Sequence, residues 1–277
     1  GEHIIRKAPA FFPDGFCEWP KVALYADQTQ PLWVTIAVPE DAKPGDYTGK
    51  ITLIAGEERI EVAVSLEVWP FALPKKSSMW MTNWFTTSCL EEWYGVEKFS
   101  DDWWNWMEKA AKNMGEHRQN VILTPLFSLV KTTKATDGFT YDYANLDRWI
   151  ELYDSYCAAD RIEGSHLGHR CDGWESIFVF GSFPLHDEDG NLQTLPSAAI
   201  DDPERRTLLK DFLLNLLTHL EQKGWLDRFI MHQADEPIPP NEETYRQLAD
   251  FVKEVMPDVP RIDAVMAHGL RGLIEIR

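Results

Sequence analysis

The chain has 277 residues, with 27 basic and 45 acidic side chains and a formal net charge of −18. This acidic balance opposes binding to nucleic acid or to an anionic membrane surface, because both partners are themselves negatively charged. No stretch of the sequence approaches the roughly 20 apolar residues of a membrane-spanning helix, so we expect no membrane insertion. Size and charge together favour a globular protein that binds neutral or cationic ligands.

Tryptophan and cysteine usage gives a second indication of the class of protein. The 12 Trp residues are many for this length. An indole ring offers an apolar face on which a sugar can stack, although core packing is the commoner role of any single Trp. The four cysteines are too sparse for a disulfide framework and form no Cys-x-x-Cys pair, so they leave the redox compartment open.

The first part of the chain has the pattern of an all-β domain. Apolar residues alternate with other residues from Leu32 to Val38, which predicts a β-strand. Two further strands are predicted at 47–54 and 60–68, on either side of a turn at Gly56, which makes an antiparallel meander. Two prolines and a polar cluster in the segment 70–78 interrupt this pattern, and we place the domain boundary there, giving domains of residues 1–74 and 75–277.

From Met79 onward, short apolar runs alternate with helical patterns, as in β/α units around a parallel sheet. The predicted strands are 79–85, 120–126, 162–167, 227–234 and 261–267, with a hairpin near 132–141 and a long loop over 168–199. Helices are predicted after the N-cap residues Ser100 and Asp202, over 145–159 and over 241–256. Five units do not close an eight-stranded barrel, so we predict an α/β domain that is incomplete in this chain.

The sharpest chemical signal is Asp235-Glu236-Pro237, which ends an apolar predicted strand. In a β/α barrel this end of a strand faces the active site. Neighbouring strand residues point to opposite faces, so both carboxylates reach one ligand only if the backbone turns between them. Repulsion between close carboxylates favours protonation of one, and glycoside cleavage needs such an acid. From spacing alone, helix capping or a solvated surface pair is an equally open interpretation.

Other candidate substrate-binding residues follow from their position along the chain. The ends of the predicted strands would surround one pocket, and the long loop could cover a sugar ring. Core packing, or an ordinary hydrogen bond at a strand end, is the alternative for each residue. The candidates are Trp84, His166, His232, Gln233 and His268 at the strand ends, and Trp174 in the loop.

A metal site is a further hypothesis for one short segment. His166, His169 and Cys171 place nitrogen and sulfur ligands within six residues. A fourth ligand is not evident, and a strand followed by a loop need not point all three side chains inward. We therefore predict no metal site.

Three segments resemble glycoside hydrolase family 123. They are WVTIAVPEDAKPGDYTG at 33–49, HRQNV at 117–121 and Ala-Asp-Glu-Pro at 234–237, and they occur in the expected order over most of the chain. The resemblance implies a β-sandwich followed by a TIM-type (β/α) barrel that continues beyond residue 277. It also implies an exo-acting β-N-acetylgalactosaminidase with a glycan or glycoconjugate substrate. A secreted, periplasmic or cell-surface location would accompany such an activity.

The resemblance further implies a substrate-assisted retaining mechanism. Glu236 resembles the family's general acid/base. Asp235 resembles the residue that orients the substrate's 2-acetamido group, whose oxygen attacks the anomeric carbon. Such an enzyme needs no carboxylate nucleophile, metal or organic cofactor. Two alternatives stay open: a non-catalytic carbohydrate-binding or surface module of the same fold, and a glycosidase of different sugar specificity.

Overall fold

The computed structural model describes residues 21–27, 29–265 and 268–276, without the side chain of His268. The chain divides into two compact units, Gly1–Leu73 and Pro74–Arg277. Within the described residues, no helix combines the length and the apolar character that crossing a membrane requires.

The N-terminal unit contains an antiparallel β-hairpin. Its strands are β1 (Gly45–Ala55) and β2 (Glu58–Val68), paired from Gly45 opposite Val68 to Ala55 opposite Glu58. Gly56 begins the two-residue turn with a φ of 63°, which glycine adopts without the steric penalty of a side chain. The hairpin confirms the strands predicted at 47–54 and 60–68.

The strand predicted from Leu32 to Val38 is wrong for the described part of this unit, which also lacks the second sheet of a β-sandwich. Leu32 and Trp33 are 55% and 72% exposed. An alternating pattern forms a strand only where a neighbouring strand takes up its backbone hydrogen bonds, and no described strand pairs with residues 32–38. The described residues of the unit are all exposed or partly exposed, so its expected sandwich is seen only as a hairpin.

The C-terminal unit is mixed α/β. Its helices are α1 (Ser88–Tyr94), α2 (Asp101–Glu116), α3 (Leu126–Leu129), α4 (Ala144–Ser155), α5 (Pro203–Gln222) and α6 (Glu242–Val255). Its strands are β3 (Val121–Thr124), β4 (Lys131–Ala135), β5 (Gly138–Asp142), β6 (Arg161–Gly164), β7 (Gly168–Arg170), β8 (Phe178–Phe180), β9 (Phe183–His186), β10 (Leu192–Leu195) and β11 (Phe229–Met231). Short 3-10 turns lie at Leu226–Arg228, Pro239–Asn241 and His268–Leu270.

A three-stranded parallel sheet in the order β11-β6-β3 lies at the centre of this unit. α4 precedes β6, α5 lies before β11, and α6 follows β11, while shorter elements complete the connections from β3 to β6 and from β6 to β11. Met231 also forms a parallel bridge to Arg261, where the fifth strand is predicted. The β/α order is confirmed, but the described residues form an open sheet and no closed barrel.

Residues 79–85, predicted as the first strand of this unit, form no strand. A side-chain amide holds them beside β3 instead. Met81 N donates to Asn120 Oδ1 at 2.9 Å, and Met81 O accepts from Asn120 N at 3.2 Å and from Val121 N at 3.1 Å. Asn120 Nδ2 also donates to Met79 O at 3.2 Å. The bonds to Asn120 therefore replace a regular strand ladder at the edge of β3.

The segment 168–199, predicted as a long loop, carries four short strands. β7 pairs with β8, and β9 pairs with β10 and at one position with β4. Backbone polar groups that leave water need hydrogen-bond partners, and these pairings supply them. The hairpin of β4 and β5 confirms the one predicted near 132–141.

The N-termini of α2 and α5 confirm the predicted N-cap residues. Ser100 Oγ accepts from Trp103 N at 3.2 Å, and Asp202 Oδ1 accepts from Arg205 N at 2.7 Å. Gly115 lies in the last turn of α2, where an added Cβ would stand 2.1 Å from Tyr156 O. The apolar stripe of α5 is buried except for the partly exposed Leu217, and its buried members are Leu209, Phe212, Leu213, Leu216 and Leu220.

Candidate active site

The candidate site lies where the chain leaves the carboxyl ends of the parallel strands. His166 follows β6, the run from His232 to Glu236 follows β11, and Asp263 follows the bridge at Arg261. The carboxyl ends of parallel strands share one edge of a sheet, which brings these segments together. Trp84, on the segment that Asn120 holds beside β3, lies against them.

Glu163, in the central strand β6, is fully buried and connects the site. Its Oε1 lies 2.7 Å from His232 Nδ1. Its Oε2 accepts from Thr82 Oγ1 at 3.2 Å and from Trp84 Nε1 at 3.4 Å. A buried carboxylate is unfavourable unless it is paired and hydrogen-bonded, and these contacts meet that requirement. Glu163 therefore fixes His232 and Trp84 to one strand.

His232 lies between two buried carboxylates. It is 2% exposed, and its Nε2 is 3.7 Å from Asp263 Oδ1. Burial alone lowers the pKa of a histidine, but the charges of Asp263 and Glu163, together with the hydrogen bond to Glu163, outweigh it and raise the pKa of His232 to about 9. His232 is therefore a cation at neutral pH, and it balances part of the charge of the two carboxylates.

Three rings pack together above Glu163. The ring centres of Trp84 and His166 are 5.4 Å apart, those of Trp84 and His232 4.9 Å, and those of His166 and His232 4.3 Å. Burial, and then the charge of His232, lower the pKa of His166 to about 4, so His166 is neutral near pH 7. Its buried Nε2 has no hydrogen-bond partner among the described residues. An indole face that is partly open to solvent thus lies beside a neutral imidazole.

Asp235 and Glu236 are both half-buried. One carboxylate oxygen of Asp235 lies within 4.8 Å of a ring nitrogen of His166 and of His232, which places Asp235 beside the ring cluster. Glu236 has a φ of 48°, in the left-handed region, so the backbone turns sharply between the two carboxylates. Such a turn is what two neighbouring residues need if both are to reach one ligand.

The peptide groups of Glu236 are held from two sides. Glu236 N donates to Asp263 Oδ1 at 3.0 Å, and Arg170 Nη2 donates to Glu236 O at 2.5 Å. Tyr245 OH donates to Asp263 Oδ2 at 2.5 Å. Burial, followed by the charge of Asp263, raises the pKa of Tyr245, so its hydroxyl stays protonated as a donor.

Trp174, predicted to cover a sugar ring, is 51% exposed on the loop between β7 and β8. Its backbone oxygen accepts from Arg170 Nε at 2.9 Å and from Asn241 Nδ2 at 3.2 Å. The Arg170 guanidinium lies 4.0 Å from the centre of its ring. Arg170 therefore links Trp174 to Glu236, whereas Trp84 contacts the histidine pair directly.

Of the two remaining predicted site residues, Gln233 and His268, the structure describes the side chain of Gln233 only. Gln233 is fully buried, and its backbone oxygen accepts from Leu167 N and Gly168 N, both at 3.0 Å, so it joins β7 to the end of β11. The two polar atoms of its side-chain amide have no hydrogen-bond partner in the described part of the chain. The side chain of His268 lies outside the described residues, so its predicted role stays a prediction.

Three residues that organise the site, Glu163, Asp263 and Arg170, are not among the sequence predictions. Glu163 and Asp263 lie within predicted strands, next to Ile162 and Ile262. A charged residue inside an apolar run is the signal that could have identified them, because such a charge is buried only with a partner. For Arg170 the sequence carries no comparable signal.

The residues that could hold a metal ion differ from the set considered from the sequence. Of the residues considered from the sequence, His169 has both ring nitrogens in hydrogen bonds, Nδ1 with Arg170 O at 2.6 Å and Nε2 with Ser197 Oγ at 2.9 Å. Cys171 is exposed. His166, His232 and Asp235 do offer ligand atoms within 4.8 Å of one another. A metal requires neutral imidazole nitrogens, and the raised pKa of His232 opposes the loss of its proton. The raised pKa of His232 therefore argues against a metal centre formed by this group.

A second concave region lies between α2 and α4. It is a groove of about 260 Å³ in which the Arg148 guanidinium lies 4.4 Å from the centre of the Trp104 ring. Its lining residues are Trp104, Asn105, Glu108, Arg148, Glu151 and Leu152, none of which belongs to the candidate site at the strand ends.

The fold and the site together are typical of carbohydrate-active hydrolases, in which two carboxylates and a Trp lie at the carboxyl ends of parallel strands in a β/α unit. The comparison with protein families agrees. Residues 84–272 match the glycoside hydrolase 123 catalytic domain, and residues 6–55 match the glycoside hydrolase 123 N-terminal domain. The chain belongs to glycoside hydrolase family 123, which confirms the resemblance seen in the sequence.

A solved structure is similar to this chain. It is described as showing "the details of glycolipid glycan hydrolysis by the structural analysis of a family 123 glycoside hydrolase from Clostridium perfringens". The two share 16% sequence identity with a TM-score of 0.64, over 83% of this chain and 42% of that chain. This likeness shows the fold, and the chain spans less than half the length of that relative. A comparison with curated proteins gives no match.

Proposed function

We propose that this chain carries the catalytic carboxylates of a glycoside hydrolase that removes terminal β-linked N-acetylhexosamine, preferably N-acetylgalactosamine, from a glycan or glycoconjugate. The observation that carries the proposal is the turn between Asp235 and Glu236 beside the rings of Trp84 and His166. An acid, an acceptor and an aromatic face in one place are what cleavage of an acetamido sugar requires.

In the proposed reaction, the carboxylic acid of Glu236 gives its proton to the glycosidic oxygen as the bond from that oxygen to C1 breaks. The carbonyl oxygen of the sugar's own 2-acetamido group attacks C1 and forms an oxazolinium-type ring. Water then attacks C1, Glu236 takes one of its protons, and the ring opens to restore the acetamido group. Two inversions at C1 give retention.

Asp235 would accept a hydrogen bond from the acetamido N–H, which orients the group and stabilises the positive charge that develops on it. Trp84 would stack on the apolar face of the sugar, and the neutral His166 can donate or accept a hydrogen bond with a hydroxyl group. These roles use the side chains without any added cofactor.

We propose in addition that the open sheet belongs to a TIM-type barrel over residues 75–277 and that the hairpin belongs to a β-sandwich over residues 1–74. The parallel order β11-β6-β3, with helices between the strands, supports the first part. The match of residues 6–55 to the family's N-terminal domain supports the second.

The test is release of nitrophenol from the β-N-acetylgalactosaminide, the β-N-acetylglucosaminide and the unsubstituted β-galactoside. Two forms of the unaltered protein are measured: the chain itself and a form extended at its carboxyl end. The variants Glu236→Gln and Asp235→Asn and the control variant Glu254→Gln are measured beside them. Glu254 is exposed on α6 and pairs with Arg206 and Lys210, so its change repeats the chemistry away from the site. We expect kcat to fall by about 10²–10⁴-fold in Glu236→Gln and to be unchanged in the control.

The outcomes separate the alternatives. Turnover of only the two acetamido sugars supports the substrate-assisted mechanism, and their ratio gives the preferred configuration. Turnover of the unsubstituted galactoside indicates a glycosidase of different specificity. Binding of the sugars by both forms without any turnover contradicts the proposal and favours a carbohydrate-binding module.

A further inference from the structure

The backbone conformation of Glu236 is unusual for its residue type. Its φ of 48° lies in the left-handed region, where a side chain crowds the backbone. Pro237 follows it and restricts the preceding residue, for which extended conformations are favoured. A residue in such a conformation persists only where its surroundings hold it, and such residues concentrate at functional sites.

Two side chains from separate parts of the fold bond the peptide groups on either side of the Glu236 Cα. Asp263 Oδ1 accepts from Glu236 N at 3.0 Å, and Arg170 Nη2 donates to Glu236 O at 2.5 Å. One bond thus holds each end of the residue, so together they oppose rotation about both of its backbone torsions. Both are charge-assisted, and such bonds are stronger than bonds between neutral groups.

The two side chains are themselves fixed. Asp263 is 1% exposed, and Tyr245 OH donates to its Oδ2 at 2.5 Å from the fully buried face of α6. Arg170 Nε donates to Trp174 O at 2.9 Å, and the guanidinium lies 4.0 Å from the centre of the Trp174 ring and 5.2 Å from that of Phe178. The geometry imposed on Glu236 is therefore set by α6 and by the β7–β8 hairpin.

The conformation decides where the Glu236 side chain points. A strand residue has a φ of about −120°, so a φ of 48° rotates the Glu236 Cβ by about 170° about the N–Cα bond. In an extended chain the side chains of Asp235 and Glu236 would point to opposite faces. The rotation removes that alternation at the position where both carboxylates are required.

We propose that Arg170 and Asp263 are positioning residues that clamp the Glu236 peptide in its left-handed conformation and thereby direct the Glu236 carboxyl to the same side as Asp235. The inference rests on the proposed function for its catalytic consequence, although the clamp itself is a matter of structure. Neither residue needs to touch the substrate.

The experiment compares Asp263→Ala, Asp263→Asn, Arg170→Met and Glu163→Gln in the full chain, by crystallography and by kinetics on the nitrophenyl β-N-acetylgalactosaminide. Asn keeps an oxygen that can accept from Glu236 N, whereas Ala does not. Glu163→Gln removes a charge beside His232 without touching the Glu236 peptide. Arg170 is only partly buried, so Arg170→Met tests the clamp if Asp263→Ala fails to fold.

We expect the φ of Glu236 to become negative in Asp263→Ala and Arg170→Met and to stay near its present value in Asp263→Asn. The kcat should fall about 10²-fold in the first two variants with little change in KM, because a misplaced acid impairs the reaction more than binding. Asp263→Asn should recover most of the kcat.

Two results would overturn the proposal. One is a left-handed Glu236 in the crystals of both Asp263→Ala and Arg170→Met. The other is an equal loss of kcat in Asp263→Asn, Asp263→Ala and Glu163→Gln, which would mean that Asp263 acts through the charge of His232. If the unaltered protein, also in its extended form, turns over no sugar, the proposed function fails, while the crystal structures still decide whether the clamp exists.

Discussion

Replacing Glu163 by Gln should weaken the fold in a manner that depends on pH. In the native protein Glu163 Oε1 accepts from His232 Nδ1 at 2.7 Å, and Asp263 lies on the other side of the ring. These two carboxylates raise the pKa of His232 from 6.5 to about 9 against the effect of burial. Gln still offers an oxygen to His232, but it removes one of the two charges that favour the imidazolium form.

The size of the effect follows from that pKa change. A group whose pKa is higher in the folded state stabilises the fold fully below its unfolded value of 6.5, and this contribution is lost as the pH rises through about 9. The difference of roughly 2.5 pH units corresponds to at most about 3 kcal/mol at 1.36 kcal/mol per unit. Since Glu163 supplies one of the two charges, Glu163→Gln should remove about 1–2 kcal/mol of that contribution.

The assay is urea unfolding at about pH 6, 7.5 and 9.5, with the imidazole of His232 followed by NMR. The native free energy of unfolding should decline from the lowest to the highest pH, and Glu163→Gln should show a smaller decline and a lower pKa for His232. Glu254→Gln, which alters an exposed ion pair, should leave the pH profile unchanged. A native His232 that titrates near 6.5, or identical profiles for native protein and Glu163→Gln, would refute the reasoning.

Three further changes test other parts of the structure. Since the pKa of His166 is lowered to about 4, the fold should lose stability as the pH falls from 6.5 towards 4, and His166→Gln should abolish that loss in thermal unfolding at acidic pH. Ser100→Ala removes the N-cap of α2 and should lower the free energy of unfolding by about 1 kcal/mol in urea, unlike Ser100→Asp. Gly164→Ala would place a Cβ 2.9 Å from the Phe229 ring, so it should cost about 1–3 kcal/mol, and an unchanged urea midpoint would show that β6 can shift.

The features that the sequence predicts best depend on local signals. The caps at Ser100 and Asp202 and the apolar stripe of α5 are read from residues within a few positions of one another. The β/α order is also predictable, because each connection between parallel strands needs a helix-length segment. Asp235 and Glu236 can be predicted as candidate site residues for a similar reason, since they end an apolar run.

The features that the sequence does not predict depend on distant contacts. Residues 32–38 have the alternation of a strand, but alternation does not reveal whether a neighbouring strand exists to pair with it. The bond of His232 to Glu163 joins residues 69 positions apart, and the bond of Glu236 to Asp263 spans 27 positions. The left-handed turn at Glu236 likewise arises from tertiary bonds rather than from its own propensity.

The side chain of Asn120 helps to attach residues 77–81 to the sheet, so the position of the neighbouring Trp84 can change during evolution independently of the central strands. A strand within a ladder is constrained at every second residue, whereas this segment is held by the side-chain amide of Asn120 and by two backbone bonds at Met81, and it lies just before Trp84. A substitution at position 120, or a length change in the segment, can therefore move the indole without altering the register of β3 with β6. Under the proposed function, sugar specificity would diverge at the edge of the sheet while Glu163, Asp235 and Glu236 keep their places.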